Sequence, residues 1–159
     1  MRQLSLITAL LLAATPLAAA DDGHHHLTEA DGLRVVHAWT PATSGPEALI
    51  YMEIENRSDA AVTLTGAETA DGQRAELVGF TYTDGTEAWQ VLPEMPLAAG
   101  QHLDLLPRTL ALRLTGLATP LTKGDEIDLE LSFSDQHLDV HVAVEDAGAT
   151  GHSHAGHTH

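Results

Sequence analysis

Apolar side chains recur at every second position through the middle of this chain. Ile127, Leu129, Leu131 and Phe133 alternate with Asp128, Glu130 and Ser132. A period of two puts the two sets on opposite faces of an extended strand, one buried and one wet. The same pattern, in runs rich in Leu, Val, Ile and Thr, predicts strands at residues 33–35, 48–55, 62–67, 75–83, 88–92, 102–106, 109–114, 127–133 and 137–144. Turn formers separate them: Asn56-Arg57-Ser58-Asp59, Asp71-Gly72, Thr83-Asp84-Gly85, Ala98-Ala99-Gly100 and Lys123-Gly124-Asp125. No stretch repeats with a helical period. Strands this short and this closely spaced predict an all-β fold, an antiparallel sandwich or barrel. Aromatic residues are only 4% of the chain, so its core must be mostly aliphatic.

The ends are different in kind. Arg2 precedes a largely apolar run over residues 4–14; Thr15-Pro16 breaks it, and Ala18-Ala19-Ala20 offers small residues for cleavage. That is the pattern of a secretory signal peptide over residues 1–20, cleaved after Ala20. The run is too short to span a bilayer, which takes about 20 apolar residues. The expected product is exported, periplasmic, soluble rather than membrane-anchored, and monomeric. Residues 21–32 form an acidic, His-bearing stretch without periodicity, read as a flexible arm. Residues 147–159 contain only Gly, Ala, Ser, Thr and His. Such a segment buries too little apolar surface to offset its ordering entropy, so it is expected to be disordered. The folded domain is then residues 33–146.

Charge and composition exclude several function classes. Lys and Arg number 7 against 23 Asp and Glu, a formal net charge of -16. A chain so acidic repels nucleic acid and anionic lipid, while its field concentrates cations. Cys is absent, so thiolate metal sites, disulfides and Cys nucleophiles are absent too. No Gly-x-Ser-x-Gly elbow, His-Glu-x-x-His pair, phosphate loop or dinucleotide fingerprint occurs, and no enzyme activity is expected.

The order of landmarks resembles the periplasmic copper chaperone family PCu(A)C. They are Val35-x-x-Ala38-Trp39, Tyr51-x-x-Ile54-x-Asn56, Glu76-Leu77, Pro96-Leu97-Ala98-Ala99-Gly100, Gly116-Leu117-x-x-Pro120-Leu121-x-x-Gly124-Asp125 and Leu129-x-Leu131-x-Phe133. The resemblance covers residues 33 to 144 and implies a cupredoxin-like, antiparallel Greek-key β-sandwich. It also implies copper held by two His-x-Met pairs. Here those pairs fall on Val78-Gly79-Phe80 and Ala111-Leu112-Arg113, so none of the four ligand positions keeps a ligand. The fold and the compartment carry over; that copper site does not.

Other histidines take its place. Of 11 His, seven lie in the two ends: His24, His25 and His26, then His152, His154, His157 and His159. Neutral imidazole is a good ligand for Cu(II), Zn(II) and Ni(II), and tracts of this density are a compositional metal signal. Beyond the signal peptide only Met52 and Met95 offer sulfur, which favours Cu(II) over Cu(I), with zinc as the alternative. A second candidate is the strand face His137, Asp139 and His141, set opposite the apolar Leu138, Val140 and Val142. His37 and His102 read as ordinary strand or loop histidines, and Trp39 and Trp89 as packing residues. The expected function is a metal carrier of the copper-chaperone type that captures copper in its His-rich tails and passes it to an exported or membrane protein. A zinc or nickel buffer, and a partner-binding sandwich without a metal, are the alternatives.

Overall fold

A computed structural model describes residues 27–152. The elements are β1 (Leu27–Ala30), β2 (Leu33–Pro41), β3 (Glu47–Asn56), β4 (Val62–Thr69), β5 (Arg74–Thr83), β6 (Thr86–Val91), β7 (Met95–Leu97), β8 (His102–Leu105), β9 (Leu110–Thr115), β10 (Glu126–Phe133) and β11 (His137–Glu145). No helix occurs among the described residues, and none is long and apolar enough to cross a membrane.

Hydrogen bonding runs β1-β2-β11-β10-β4-β5-β9-β3-β8, and β2 also pairs with β3. The ladder therefore closes on itself from β2 through β11, β10, β4, β5, β9 and β3 back to β2. Closure removes most of the free edges that would otherwise template aggregation. Every pairing is antiparallel except β2 with β11, which is parallel over Ala143↔Trp39, Val144↔Thr40 and Glu145↔Pro41. β3 changes neighbours along its length, pairing β9 through residues 47–50 and β8 through residues 52–55. The enclosed core is aliphatic: Ile50, Ile54, Leu64, Leu77, Leu105, Leu112, Leu129 and Leu131 are all fully buried. Met52 is buried among them and Met95 packs against their rim.

Two departures from the sequence reading bear on the site. The supposed arm holds a strand: β1 pairs with β2 from Leu27↔Val36 to Ala30↔Leu33. Asp31 and Gly32, both at positive φ (50° and 78°), make the two-residue turn that joins them. A Cβ on Gly32 would also come within 2.8 Å of Ser58 Cβ. In addition, β2 continues past Val35 to Pro41, interrupted by a register shift between Val36 and Trp39. His37 sits in that bulge at φ 54°.

Asn56, at the end of β3, is buried and ties three segments together. Its Nδ2 donates to the carbonyls of Ala60 (2.7 Å), Leu97 (3.1 Å) and Ala98 (3.2 Å), while Oδ1 accepts from Ser58 Oγ (2.7 Å). Its backbone adds Asn56 N to Gln101 O and Gly100 N to Asn56 O. The Asn56-Arg57-Ser58 sequence matches a glycosylation sequon, but the amide nitrogen is committed to the interior. Replacing Asn56 by Ala leaves buried carbonyls unpaired and should cost about 2–3 kcal/mol. Urea unfolding measures this; a loss under about 0.5 kcal/mol would mean the amide is dispensable.

Candidate metal centre

Two of the positions that the PCu(A)C resemblance assigns to copper ligands, Val78 and Ala111, lie side by side and are filled by packing, while Phe80 and Arg113 flank them toward opposite ends of the β5–β9 ladder. Val78 on β5 stands directly opposite Ala111 on β9, and neither is exposed to solvent. They form one cluster with Trp39 and Tyr51, whose rings lie 5.0 Å apart. Burial pushes the Tyr51 hydroxyl up from its ordinary pKa, as a low-dielectric setting disfavours the phenolate. Phe80 packs edge-on against Trp89 at 5.4 Å, with the Arg108 guanidinium 5.4 Å from the centre of its ring. Arg113 Nη2 donates to Glu76 Oε2 at 3.0 Å. The cluster presents hydrocarbon and aromatic rings, with the Arg113 cation beyond it, where a soft metal would need imidazole and thioether.

The strand face His137, Asp139 and His141 is exposed as its alternation predicts, with Leu138, Val140 and Val142 buried behind it. The three do not converge. Along the strand, His137 and His141 are about 13 Å apart at ~3.3 Å per residue. Each faces a carboxylate of β10: His137 Nδ1 lies 3.4 Å from Glu130 Oε1, and His141 Nδ1 lies 2.7 Å from Asp128 Oδ1. Asp139 stands opposite Glu130, which itself pairs across to Glu68, so three carboxylates form a row over three strands. His102 is exposed, its Nε2 3.9 Å from Asp104 Oδ2.

Of the seven histidines in the ends, His152 lies within the described residues; His24, His25, His26, His154, His157 and His159 lie outside them. The tail from Ala147 folds back over its first residues. Ala149 N donates to Asp146 O at 2.8 Å, and Ala149 packs against the Trp39–Tyr51 cluster. His152 Nδ1 comes to 2.9 Å from Glu145 Oε1, with both side chains more than nine-tenths buried. The His152 ring centroid is 5.8 Å from that of His37. His37 lies in β2, the strand histidine that the sequence reading expects, with His152 as a ring neighbour. A hint was present in the sequence, since His37 precedes the Ala38-Trp39 landmark, but its partner is 115 positions away. Among the described residues, no three His, Asp or Glu side chains are gathered as a ready-made metal cluster.

Residues 33–145 match the LpqE-like family, described as "Putative lipoprotein LpqE-like", and the chain belongs to that family. It is 27% identical over 158 residues to "Putative lipoprotein Lxx21020" of Leifsonia xyli subsp. xyli, covering 94% of this chain and 93% of that one. The fold is similar to the copper-bound PCuAC domain from PmoF2, with a TM-score of 0.63 at 18% identity over 76% of this chain and 98% of that domain. It is also similar to the solution structure of apo-DR1885 from Deinococcus radiodurans, with a TM-score of 0.56 at 26% identity over 90% of this chain and all of that one. The chain is a PCuAC-type, cupredoxin-like sandwich, as its landmarks indicate.

Because the space around Val78 and Ala111 is filled by Trp39 and Tyr51, a ligand cannot simply be introduced there. Val78→His places a larger, polar ring against Ala111, Trp39 and Tyr51, and should destabilise the fold by about 1–3 kcal/mol while creating no Cu(I) site. Urea unfolding and a Cu(I) competition assay check both halves. Unchanged stability together with tight Cu(I) binding would mean the cluster has room for a metal.

Proposed function

We propose that this protein is an exported copper carrier that holds its cargo through the histidines of its ends and hands it to another exported or membrane protein. The observation that carries the reading is the filled ligand cell inside a retained PCuAC fold. The scaffold that binds copper in the PmoF2 domain is kept over 98% of that domain's length. The positions that the family resemblance assigns to copper ligands are here Val78, Phe80, Ala111 and Arg113, and imidazoles are massed at both ends of the chain.

Export is supported by the residues 1–20 pattern and by the lipoprotein names of the relatives. These 159 residues contain no Cys, so a thiol-linked lipid has no acceptor within them. The excess of carboxylates raises the local concentration of cations around the tails. Imidazole-rich, sulfur-poor ligation favours Cu(II), and Zn(II) would fit the same residues.

The test is equilibrium dialysis of the chain beginning at Asp21 against Cu(II). More than one ion should bind. Changing His24, His25, His26, His154, His157 and His159 to Ala together should remove most of the bound equivalents. An unchanged count after those six substitutions would overturn the tail-based reading.

A further inference from the structure

The chain enters and leaves its described fold beside the same residue. Leu27, the first residue of β1, pairs with Val36, and His37 follows immediately. His152, the last described residue, has its ring 5.8 Å from the ring of His37, tilted by 32°. We propose that His37 and His152 share one divalent ion of the imidazole-preferring kind, Cu(II) or Zn(II), and that Glu145 is its positioning residue. This rests on the carrier reading for its cargo, but it places one ion on the folded sandwich rather than on the tails.

The geometry suits a shared ion. With metal–nitrogen bonds of ~2.0–2.1 Å, two imidazoles on one ion have ring centroids about 4.5–6.3 Å apart, from cis to trans arrangement. The observed 5.8 Å lies inside that span. Glu145 Oε1, 2.9 Å from His152 Nδ1, supplies the outer carboxylate that commonly orients a metal-bound imidazole and fixes which nitrogen faces the ion. Glu145 is itself held by the sheet: it ends β11 opposite Pro41, and its carbonyl accepts from Ala42 N at 2.8 Å.

His37 is equally fixed. It occupies the β2 bulge at φ 54°, a conformation uncommon for non-glycine residues, though His, like Asn and Asp, adopts it more readily than most. Bulges re-aim a side chain where a regular strand would not, and strained backbone of this kind clusters at functional sites. β1 covers the edge of β2 up to Val36 and β11 covers it from Trp39, so His37 lies in the gap between them. His26 precedes Leu27 by one residue and His154 follows His152 by two.

The site makes a prediction that tails alone do not. An ion held only by a flexible tract binds the unfolded chain about as well as the native one and barely shifts the melting temperature. An ion shared by His37 and His152 needs the fold to bring the two together. The test uses the chain from Asp21 with Cu(II) as the probe, measuring bound equivalents by dialysis and thermal unfolding with and without saturating copper. Asn tolerates positive φ, so His37→Asn removes the imidazole while keeping the bulge.

We expect copper to raise the melting temperature of the parent chain. His37→Asn and His152→Ala should each abolish that rise and lose the same single equivalent. The double variant should lose no more than either alone. A rise that persists in His37→Asn, or a double variant that loses two equivalents, overturns the shared site. His152→Ala lowering the metal-free melting temperature with no change in copper count also overturns it, leaving His152 and Glu145 as a structural contact. If the parent binds several ions and His37→Asn binds as many, the inference falls and the carrier reading stands. If the parent binds none, both fall.

Discussion

The parallel pairing of β11 with β2 is the contact on which the rest of the molecule depends. It spans only three residue pairs, from Ala143↔Trp39 to Glu145↔Pro41. Without it the sheet would stay open, with β11 and the Trp39–Pro41 stretch of β2 as bare edges. With it, the last strand runs beside the first long one, and the C-terminal segment emerges over Trp39. Thr40 sits fully buried at this seam, its Oγ1 donating to Leu49 O at 2.9 Å, so β2 is also fastened to β3 here. The seam thus fixes Trp39 as a wall of the filled ligand cell, Glu145 as a buried carboxylate, and the place where the tail meets His37.

The two halves of the functional account follow from how that region is packed. On one side of Trp39, Tyr51, Val78 and Ala111 close over the place where the PCu(A)C resemblance puts copper. Burial of such surface stabilises by roughly 25 cal/mol per Å², so aliphatic and aromatic packing holds together what metal ligation would otherwise reinforce. On the other side of β2, the bulge at His37 and the returning tail bring imidazoles and a carboxylate together. On our proposal the metal is held by imidazoles at the margin of the sandwich rather than by soft ligands within it, in a chain that carries no Cys and keeps Met52 in its core.

Most of the strand pattern was legible because a period of two is a local signal. The wet face of β11 could be read directly: His137, Asp139 and His141 are exposed while Leu138, Val140 and Val142 are not. The apolar packing at Val78 and Ala111, where the PCu(A)C resemblance puts ligands, was legible in the sequence around the Glu76-Leu77 and Gly116-Leu117 landmarks. β1 was hidden because its four residues sit in an acidic stretch with no alternation, and the Asp31-Gly32 turn was the one available cue. The β2 bulge, the parallel seam and the docking of His152 are non-local. Nothing near His37 in the sequence announces a partner 115 positions on, and only pairing across the sheet brings the two together.

The central claim is that copper is held here by histidine nitrogen at the chain's ends and margin, not by the sulfur-containing cell of the PCu(A)C pattern. X-ray absorption at the copper edge of the copper-loaded chain from Asp21 tests it most directly. The account expects nitrogen and oxygen neighbours only, with the outer-shell scattering of imidazole rings and no copper–sulfur distance. A copper–sulfur component would contradict it, because the sulfur could come only from Met52 inside the core or Met95 at its rim.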